Sequence, residues 1–154
     1  MTNLWPRSAR GWPRIATGAR FQSTHHLVLL VQALAACGRH DEGLAALRQA
    51  TALVEETGER YVEAEIHRLE GNLLLATDDT AAAEACYLRA LAVARAQEAR
   101  SLELRAACDL ARLWAECGDR ARAAELLAPV YGWFTEGFDT ADLKEAKALL
   151  DGLA

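Results

Sequence analysis

The apolar residues of this chain recur at steps of three and four positions, the spacing that places side chains on one face of an α-helix. Ala and Leu dominate the apolar content, and the few β-branched residues and three prolines favour helix over strand. The chain is therefore predicted to be all-α. The periodicity predicts six helices, at about residues 23–37, 40–56, 61–77, 80–97, 101–117 and 119–134.

The same pattern repeats at a step of 40 residues. TGARF at residues 17–21 matches TGERY at residues 57–61. Three blocks beyond it align at five equivalent positions, which are Val31, Gly71 and Ala111; Gly43, Ala83 and Ala123; Leu34, Leu74 and Trp114; Leu47, Tyr87 and Leu127; and Ala50, Ala90 and Val130. Self-similarity at a fixed period of this length is typical of helical repeat proteins.

Turn residues divide each block into two helices. GRHD begins at residue 38, DDT at residue 78 and GDR at residue 118. Each block is therefore predicted to be a helix, a short turn and a second helix, giving about three helix pairs. We expect residues 1–15 to form an irregular Arg/Trp/Pro segment, residues 16–138 the repeats, and residues 139–154 a capping helix that begins at Asp139 or Thr140.

The end of the last repeat contains a proline and several aromatic residues. Pro129 removes a backbone donor, so the last second helix is predicted to kink or end near Ala128. Four aromatic side chains follow and are predicted to seal the end of the stack as core, namely Tyr131, Trp133, Phe134 and Phe138.

The small-then-large order of the aligned positions resembles the tetratricopeptide repeat, whose pattern is W-x2-L-G-x2-Y, then A-x3-F, then P. The second block matches at Gly71, Leu74, Ala83, Tyr87 and Ala90. It departs at His67, Glu70 and Arg95, where the pattern has Trp, Leu and Pro. The resemblance implies a right-handed α-α superhelix, a solenoid that binds a protein or peptide ligand.

A narrower resemblance is carried by the amino-acid sequences of three stretches, EIHRLEGNLLLA, ALAVARAQEARSLELRAACDLARLW and LLAPVYGWFTEGFDTADLKEAKALLDGL. These stretches look like the C-terminal repeats of bacterial adenylate/guanylate cyclase and AAA-type ATPase signalling proteins. The resemblance implies a non-catalytic interaction or regulatory module, the terminal part of a larger signalling protein or transcriptional regulator, with a cyclase or ATPase output domain as a possible partner. No G-x-x-x-x-G-K-[ST] phosphate loop occurs here. A nucleotide function inherited from such a parent is the alternative.

Charge narrows the choice of partner. The net charge of −5 divides into +5 for residues 1–40 and −10 for residues 41–154. Phosphate backbones are bound by basic faces, so this acidic body argues against nucleic acid. The apolar runs are shorter than the roughly 20 residues that a membrane-spanning helix needs. We therefore expect a cytoplasmic protein with neither nucleic acid nor membrane as a partner.

Reactive side chains do not assemble into a recognisable catalytic or metal-binding pattern. The histidines lack a Ser, Asp or Cys partner at motif spacing, and His67 stands at a position where the repeat packs a Trp. We therefore predict no catalytic residue, no bound metal and no cofactor. The cysteines are predicted to be small buried residues, with a disulfide or metal site as the alternative, namely Cys37, Cys86, Cys108 and Cys117.

Candidate binding residues follow from the resemblance, which implies that the first helix of each pair lines a concave ligand-binding face. Arg68 and Asn72 resemble the basic-plus-Asn pair that grips a peptide carboxylate in chaperone-binding members, and Arg105 stands at a position used by that clamp. Asp109, however, stands where the clamp has an arginine, and a solvated helix face is the alternative. The candidate peptide-binding residues are His25, Gln32, Glu65, Arg68, Asn72, Arg105 and Arg112.

The stretch LVLLVQALAACGR at residues 27–39 allows a second interpretation. LAAC at residues 34–37 resembles the box of a lipoprotein signal, which would leave the protein anchored at Cys37. The repeat explains more, because Cys117 lies at the equivalent position in LWAECGDR and Gln32 interrupts the apolar run. We predict the first helix and turn of a repeat, with these side chains on its core face: Leu27, Leu30, Val31 and Leu34. The arginine-rich start also resembles a mitochondrial transit peptide.

Overall fold

The computed structural model describes the backbone of residues 13–154 and the side chains of residues 24–154. This part of the chain is all-helical and has no strand, as predicted. A single 3-10 turn, Arg60–Val62, precedes the third α-helix. The seven α-helices are α1 (Pro13–Ala36), α2 (His40–Thr57), α3 (Glu63–Leu75), α4 (Thr80–Ala96), α5 (Arg100–Glu116), α6 (Arg120–Gly132) and α7 (Ala141–Leu153).

The helix bounds agree with the sequence prediction except at the first helix. α1 begins at Pro13, well before the predicted start at residue 23. Proline is favoured at the first position of a helix because its missing N–H is not needed there. Residues 13–15 of the segment predicted to be irregular are thus helical, and residues 1–12 lie outside the described residues. The TGARF and TGERY segments also differ, because residues 17–21 lie inside α1 whereas Gly58 follows the end of α2.

The 40-residue period is visible in the backbone of the turns. The left-handed conformation occurs at Gly38, Asp78 and Gly118, with φ of 72°, 64° and 92°. A second series, at Gly58 and Glu98, has φ of 72° and 54°. The first series lies in the turn inside each pair and the second lies between pairs. The repeat predicted from side chains is therefore also a repeat of turn geometry.

The core follows the same register. Of the aligned small and apolar positions, only Leu74 is half-buried, and all the others are buried. Tyr87 is the largest fully buried side chain and lies against Gly71 of the neighbouring helix. A Cβ at Gly71 would stand 2.5 Å from Cε1 of Tyr87, so this crossing of α3 and α4 requires a glycine. The small residue of the repeat pattern thus lies where the two helices of a pair cross.

The helices pack in two ways. Each helix contacts the next one along the chain, from α1 to α7. In addition, α1 contacts α3, α3 contacts α5, and α5 contacts α7. These four helices form a continuous surface that we call the first-helix face. Within the described residues, no helix is both long and apolar enough to cross a membrane.

Several local predictions need correction. Of the predicted kink or end near Ala128, the end is wrong, because α6 runs through Pro129 to Gly132, with the missing proline N–H within the third turn of the helix. Trp133 and Phe138 are 56% and 46% exposed, so they are not core. Leu30 is 47% exposed, so it does not lie on the core face of α1 as predicted. Of the four free cysteines, Cys86 and Cys108 are buried as predicted, whereas Cys37 and Cys117 are exposed.

The α3–α4 crossing predicts an unusual cost for an alanine in a helix. Alanine has a higher helix propensity than glycine by about 1 kcal/mol. In Gly71→Ala, however, we expect overpacking against Tyr87 to outweigh this gain in helix propensity. The free energy of unfolding should fall by about 1–3 kcal/mol. Urea unfolding followed by circular dichroism measures this. Gly152→Ala is the matched control, because nothing lies within 4 Å of its added Cβ, and an equal loss in both variants would contradict the packing argument.

The last helix is integral to the core of the second half of the chain. Leu143, Ala146 and Leu153 of α7 are buried in the cluster that also contains Leu127 and Trp114. Leu143→Ala should lower the free energy of unfolding by about 2–5 kcal/mol, the usual cost of a cavity in a packed core. Leu88→Ala, at a side chain that is 45% exposed, should change it by less than about 0.5 kcal/mol. Chemical denaturation that showed similar values for both would argue against a packed α7.

Candidate functional site

The structure brings six of the seven candidate residues together on the first-helix face. Gln32 comes from α1, and Arg105 and Arg112 come from α5. The other three are Glu65, Arg68 and Asn72, all from α3. His25 of α1 is exposed, its ring lies 6.4 Å from that of His26, and among the described residues no hydrogen bond or ion pair joins it to the other six.

A bidentate ion pair lies at the centre of the site. Nε and Nη2 of Arg68 donate to the two carboxylate oxygens of Glu65 at 2.9 and 2.7 Å. Nε2 of Gln32 in α1 donates to Oε1 of the same carboxylate at 3.2 Å. Glu65 is only 5% exposed. Both of its oxygens are therefore occupied by groups of this chain.

The ion pairs continue across the next two first helices. Nη1 of Arg68 donates to Oδ2 of Asp109 at 2.6 Å, and Nη1 of Arg112 donates to Oδ1 of Asp109 at 3.0 Å. Arg112 also donates through Nη2 to Glu145 of α7. The result is an unbroken row of side chains from α1 to α7, which we call the charge ladder: Gln32, Glu65, Arg68, Asp109, Arg112 and Glu145.

Asn72 and Tyr87 complete the ladder on one side. The Asn72 amide lies 2.7 Å from the Tyr87 hydroxyl. With the amide turned over, its nitrogen lies 3.3 Å from Oδ2 of Asp109 and its oxygen 3.2 Å from Nη1 of Arg68, which satisfies both ends. Burial raises the pKa of the Tyr87 phenol, so the hydroxyl stays protonated. The glycine-dependent packing of Tyr87 therefore also fixes a member of the site.

Electrostatics keep the buried ladder charged. Burial alone would raise the pKa of Glu65, but the hydrogen bonds and charge of Arg68 outweigh it, and the pKa lies below its usual range. Burial likewise opposes the charge of Arg68, yet Glu65 and Asp109 raise its pKa. A buried charge is tolerated only with such partners. Glu65 and Arg68 consequently form an ionised pair at neutral pH.

Arg105 is connected to α7 by a separate bond. Its Nε donates to Oδ2 of Asp142 at 2.7 Å. Within the described part of the chain, neither Nη of Arg105 has a hydrogen-bond partner. Asp142 and Glu145 each use one oxygen in their bonds to α5 and keep the other one open. All three side chains therefore have hydrogen-bonding capacity that these bonds do not use.

Two clefts adjoin the ladder and share Asp109. The charged cleft has a volume of about 340 Å³. It is lined by Gln32, Glu65, Arg68, Leu104, Arg105, Cys108, Asp109, Asp142 and Glu145. A second cleft, of about 360 Å³, has a more apolar lining. It is lined by Asn72, Leu75, Ala76, Tyr87, Asp109, Arg112, Leu113 and Glu116.

The reactive groups near the clefts are poorly suited to catalysis. Burial raises the pKa of the Cys108 thiol to about 12, so it carries little thiolate at neutral pH. The same cause raises the pKa of Cys86 to about 11. Among the described residues, no group of three His, Cys, Asp or Glu side chains is arranged to hold a metal ion. The arrangement offers hydrogen bonds and charge, which suit binding.

Comparison with known proteins finds no matching family model and no matching curated protein. The function must therefore be argued from the residues of this chain and from their geometry. That geometry does not provide a preformed carboxylate clamp. Every candidate arginine already bonds a carboxylate of the chain, and Arg68 is the most fully used of the three.

Sequence reasoning missed two residues of the site and misjudged a third. Asp142 and Glu145 were not predicted as site residues, because α7 was interpreted as a cap and not as a further first helix. A signal was present, since Glu65, Arg105 and Glu145 follow one another at the step of 40 residues. Asp109 was recognised as a departure from the clamp, but its role as the acceptor between two arginines requires three-dimensional structure.

The ladder predicts a large cost for removing its central cation. Arg68→Gln leaves Glu65 buried without its ionic partner, and breaking a buried pair in this way costs about 3–5 kcal/mol. Arg39→Gln serves as the control, because the Arg39–Glu42 pair is exposed on both sides, and we expect no measurable change there. Urea unfolding at pH 7 compares the two variants, and similar stabilities would show that the ladder is energetically minor.

The pH dependence gives an independent check. In the native protein, the lowered pKa of Glu65 contributes stability above the unfolded value of about 4.3, and this stability is lost as the pH falls through the folded pKa. In Arg68→Gln, burial favours the neutral form of the Glu65 carboxyl. Lowering the pH should therefore reduce the loss in free energy of unfolding that this substitution causes. The stability difference from the native protein should shrink between about pH 6 and pH 4. A difference independent of pH would contradict this account.

Proposed function

We propose that the chain is a non-catalytic helical-repeat module, a tetratricopeptide-like right-handed solenoid that binds an extended segment of a partner protein along the first-helix face. The carrying observation is that the two clefts and the charge ladder lie together on that face. The arrangement offers a partner several separate polar contacts and one apolar recess. This is the chemistry by which repeat proteins bind peptides along an extended surface.

The packing of the helices supports a concave first-helix face. Neighbouring first helices contact one another, whereas no comparable contact joins α2 to α4 or α4 to α6 within the described helices. A stack whose helices are closer on one side curves toward that side. The first helices thus correspond to the inner layer of a solenoid, where such proteins bind their ligands.

The sequence supports a signalling context for this module. The stretches quoted above look like the repeats of bacterial cyclase and AAA-type ATPase signalling proteins, so the proposed role is interaction or regulation next to such an output domain in the cytoplasm. The acidic body, with a net charge of −10 over residues 41–154, favours a protein partner over nucleic acid.

The test is a selection from a phage-displayed library of 12-residue peptides, followed by amide chemical-shift mapping on the full chain. We expect saturable binding and shifts at residues lining the two clefts. Gln32→Trp, which fills the mouth of the charged cleft, should weaken binding at least about tenfold, since each tenfold corresponds to about 1.4 kcal/mol. Gln49→Trp places the same side chain on an exposed position of α2 and should leave binding unchanged.

Two results would count against the proposal. One is a selection that yields no saturable binder. The other is a peptide that changes the amide chemical shifts of α2, α4 and α6 and leaves those of the first-helix face unchanged.

A further inference from the structure

We propose that the charged cleft selects a segment of mixed charge, with an acidic side chain that binds Arg105 and a basic side chain that binds Asp142 and Glu145. The inference rests on the proposed function, because it names the chemistry of the ligand for the same face. It follows from the hydrogen-bonding groups that the ladder leaves unused.

Arg105 is the donor that remains available. Its side chain is 42% exposed, and its guanidinium uses only Nε toward Asp142. Arg105 lines the charged cleft, and its two Nη groups have no hydrogen-bond partner in the described part of the chain. A guanidinium offers two parallel donors to a carboxylate, so one acidic side chain can bind there without breaking the bond to Asp142.

Asp142 and Glu145 are the acceptors that remain available. Their side chains are 34% and 57% exposed, and among the described residues one oxygen of each makes no hydrogen bond. An ammonium or guanidinium group of a ligand can bind these oxygens while the ladder stays intact. The donor and acceptor sites are adjacent, since Arg105 and Asp142 are themselves bonded at 2.7 Å.

A ligand with one sign of charge fits less well. A purely acidic segment would meet Arg105 but would also face Asp142 and Glu145. A purely basic segment would meet those carboxylates but would face Arg105, whose donors would stay unused. A segment with both signs can pair with Arg105 and with the two carboxylates at once.

The repeat sets the spacing of the two charges in the ligand. Glu65, Arg105 and Glu145 occupy the same position of three successive first helices, so the sign alternates along the face. Packed helices lie about 8–10 Å apart. A segment in the polyproline-II conformation covers that distance in three residues at about 3.1 Å each, and side chains three positions apart lie on the same side of it. The acidic and basic side chains of the ligand should therefore stand about three positions apart.

The experiment uses three versions of the best-binding library peptide that differ only at two positions three residues apart. These positions carry Glu and Lys, Glu and Gln, or Gln and Lys. Fluorescence anisotropy with the full chain should show the Glu/Lys peptide binding about tenfold more tightly than either of the others, the ratio expected for one charge-assisted hydrogen bond.

Two protein variants test the assignment of the residues. Arg105→Gln should reduce binding of the Glu/Lys peptide to the level of the Gln/Lys peptide, and Glu145→Gln should narrow its advantage over the Glu/Gln peptide. Arg48→Gln, on the exposed face of α2, is the control and should change neither. Thermal melts of all variants confirm that they are folded.

The outcomes separate the two proposals. Equal binding of the three peptides, or an unchanged preference in Arg105→Gln, would overturn the mixed-charge rule and leave peptide binding standing. A library that yields no saturable binder overturns the proposed function and, with it, this inference.

Discussion

The close approach of the two helices of a pair is the constraint on which the rest of the structure depends. At the centre of the chain it is made by Gly71, above which the Tyr87 ring leaves no room for a Cβ. Equivalent small residues recur at Ala111 and, on the second helices, at Ala83 and Ala123, all of them buried. Because these crossings recur every 40 residues, they fix how far one first helix lies from the next. That distance decides whether side chains can bond between pairs.

The charge ladder is the consequence of that spacing. Arg68 reaches Glu65 on its own helix and Asp109 on the next first helix, so a single guanidinium joins two repeats. Buried ion pairs contribute little net stability compared with apolar packing, because desolvation offsets most of the attraction. Their geometric demand is the larger effect, since only one registration of α3 against α5 satisfies all the bonds. The ladder thus specifies the alignment of helices that the core stabilises.

The sequence alone predicts the core better than it predicts the site. The period of 40 residues identifies the buried positions and the turns, because packing at a crossing depends on the size of a few residues. It does not identify the partners of Arg68, since Asp109 stands where Leu29 and Leu69 stand in the other blocks. The burial predicted for Trp133 and Phe138 is wrong for a related reason. Both residues lie between α6 and α7, where the repeat pattern does not indicate which side chains are buried. Side-chain partners that lie in a neighbouring repeat can be identified only from the three-dimensional structure.

The last helix carries charges on two sides, and the two sides have different consequences. Lys144, Lys147 and Asp151 of α7 stand 40 residues after Leu104, Ala107 and Ala111, which are buried in α5. A further helix packed on α7 would have to bury an exposed Lys147–Asp151 ion pair, which is costly. The opposite edge of the same helix carries Asp142 and Glu145 to the arginines of α5. Charge on one side of α7 therefore opposes further stacking, while charge on the other supplies half of the open groups in the cleft.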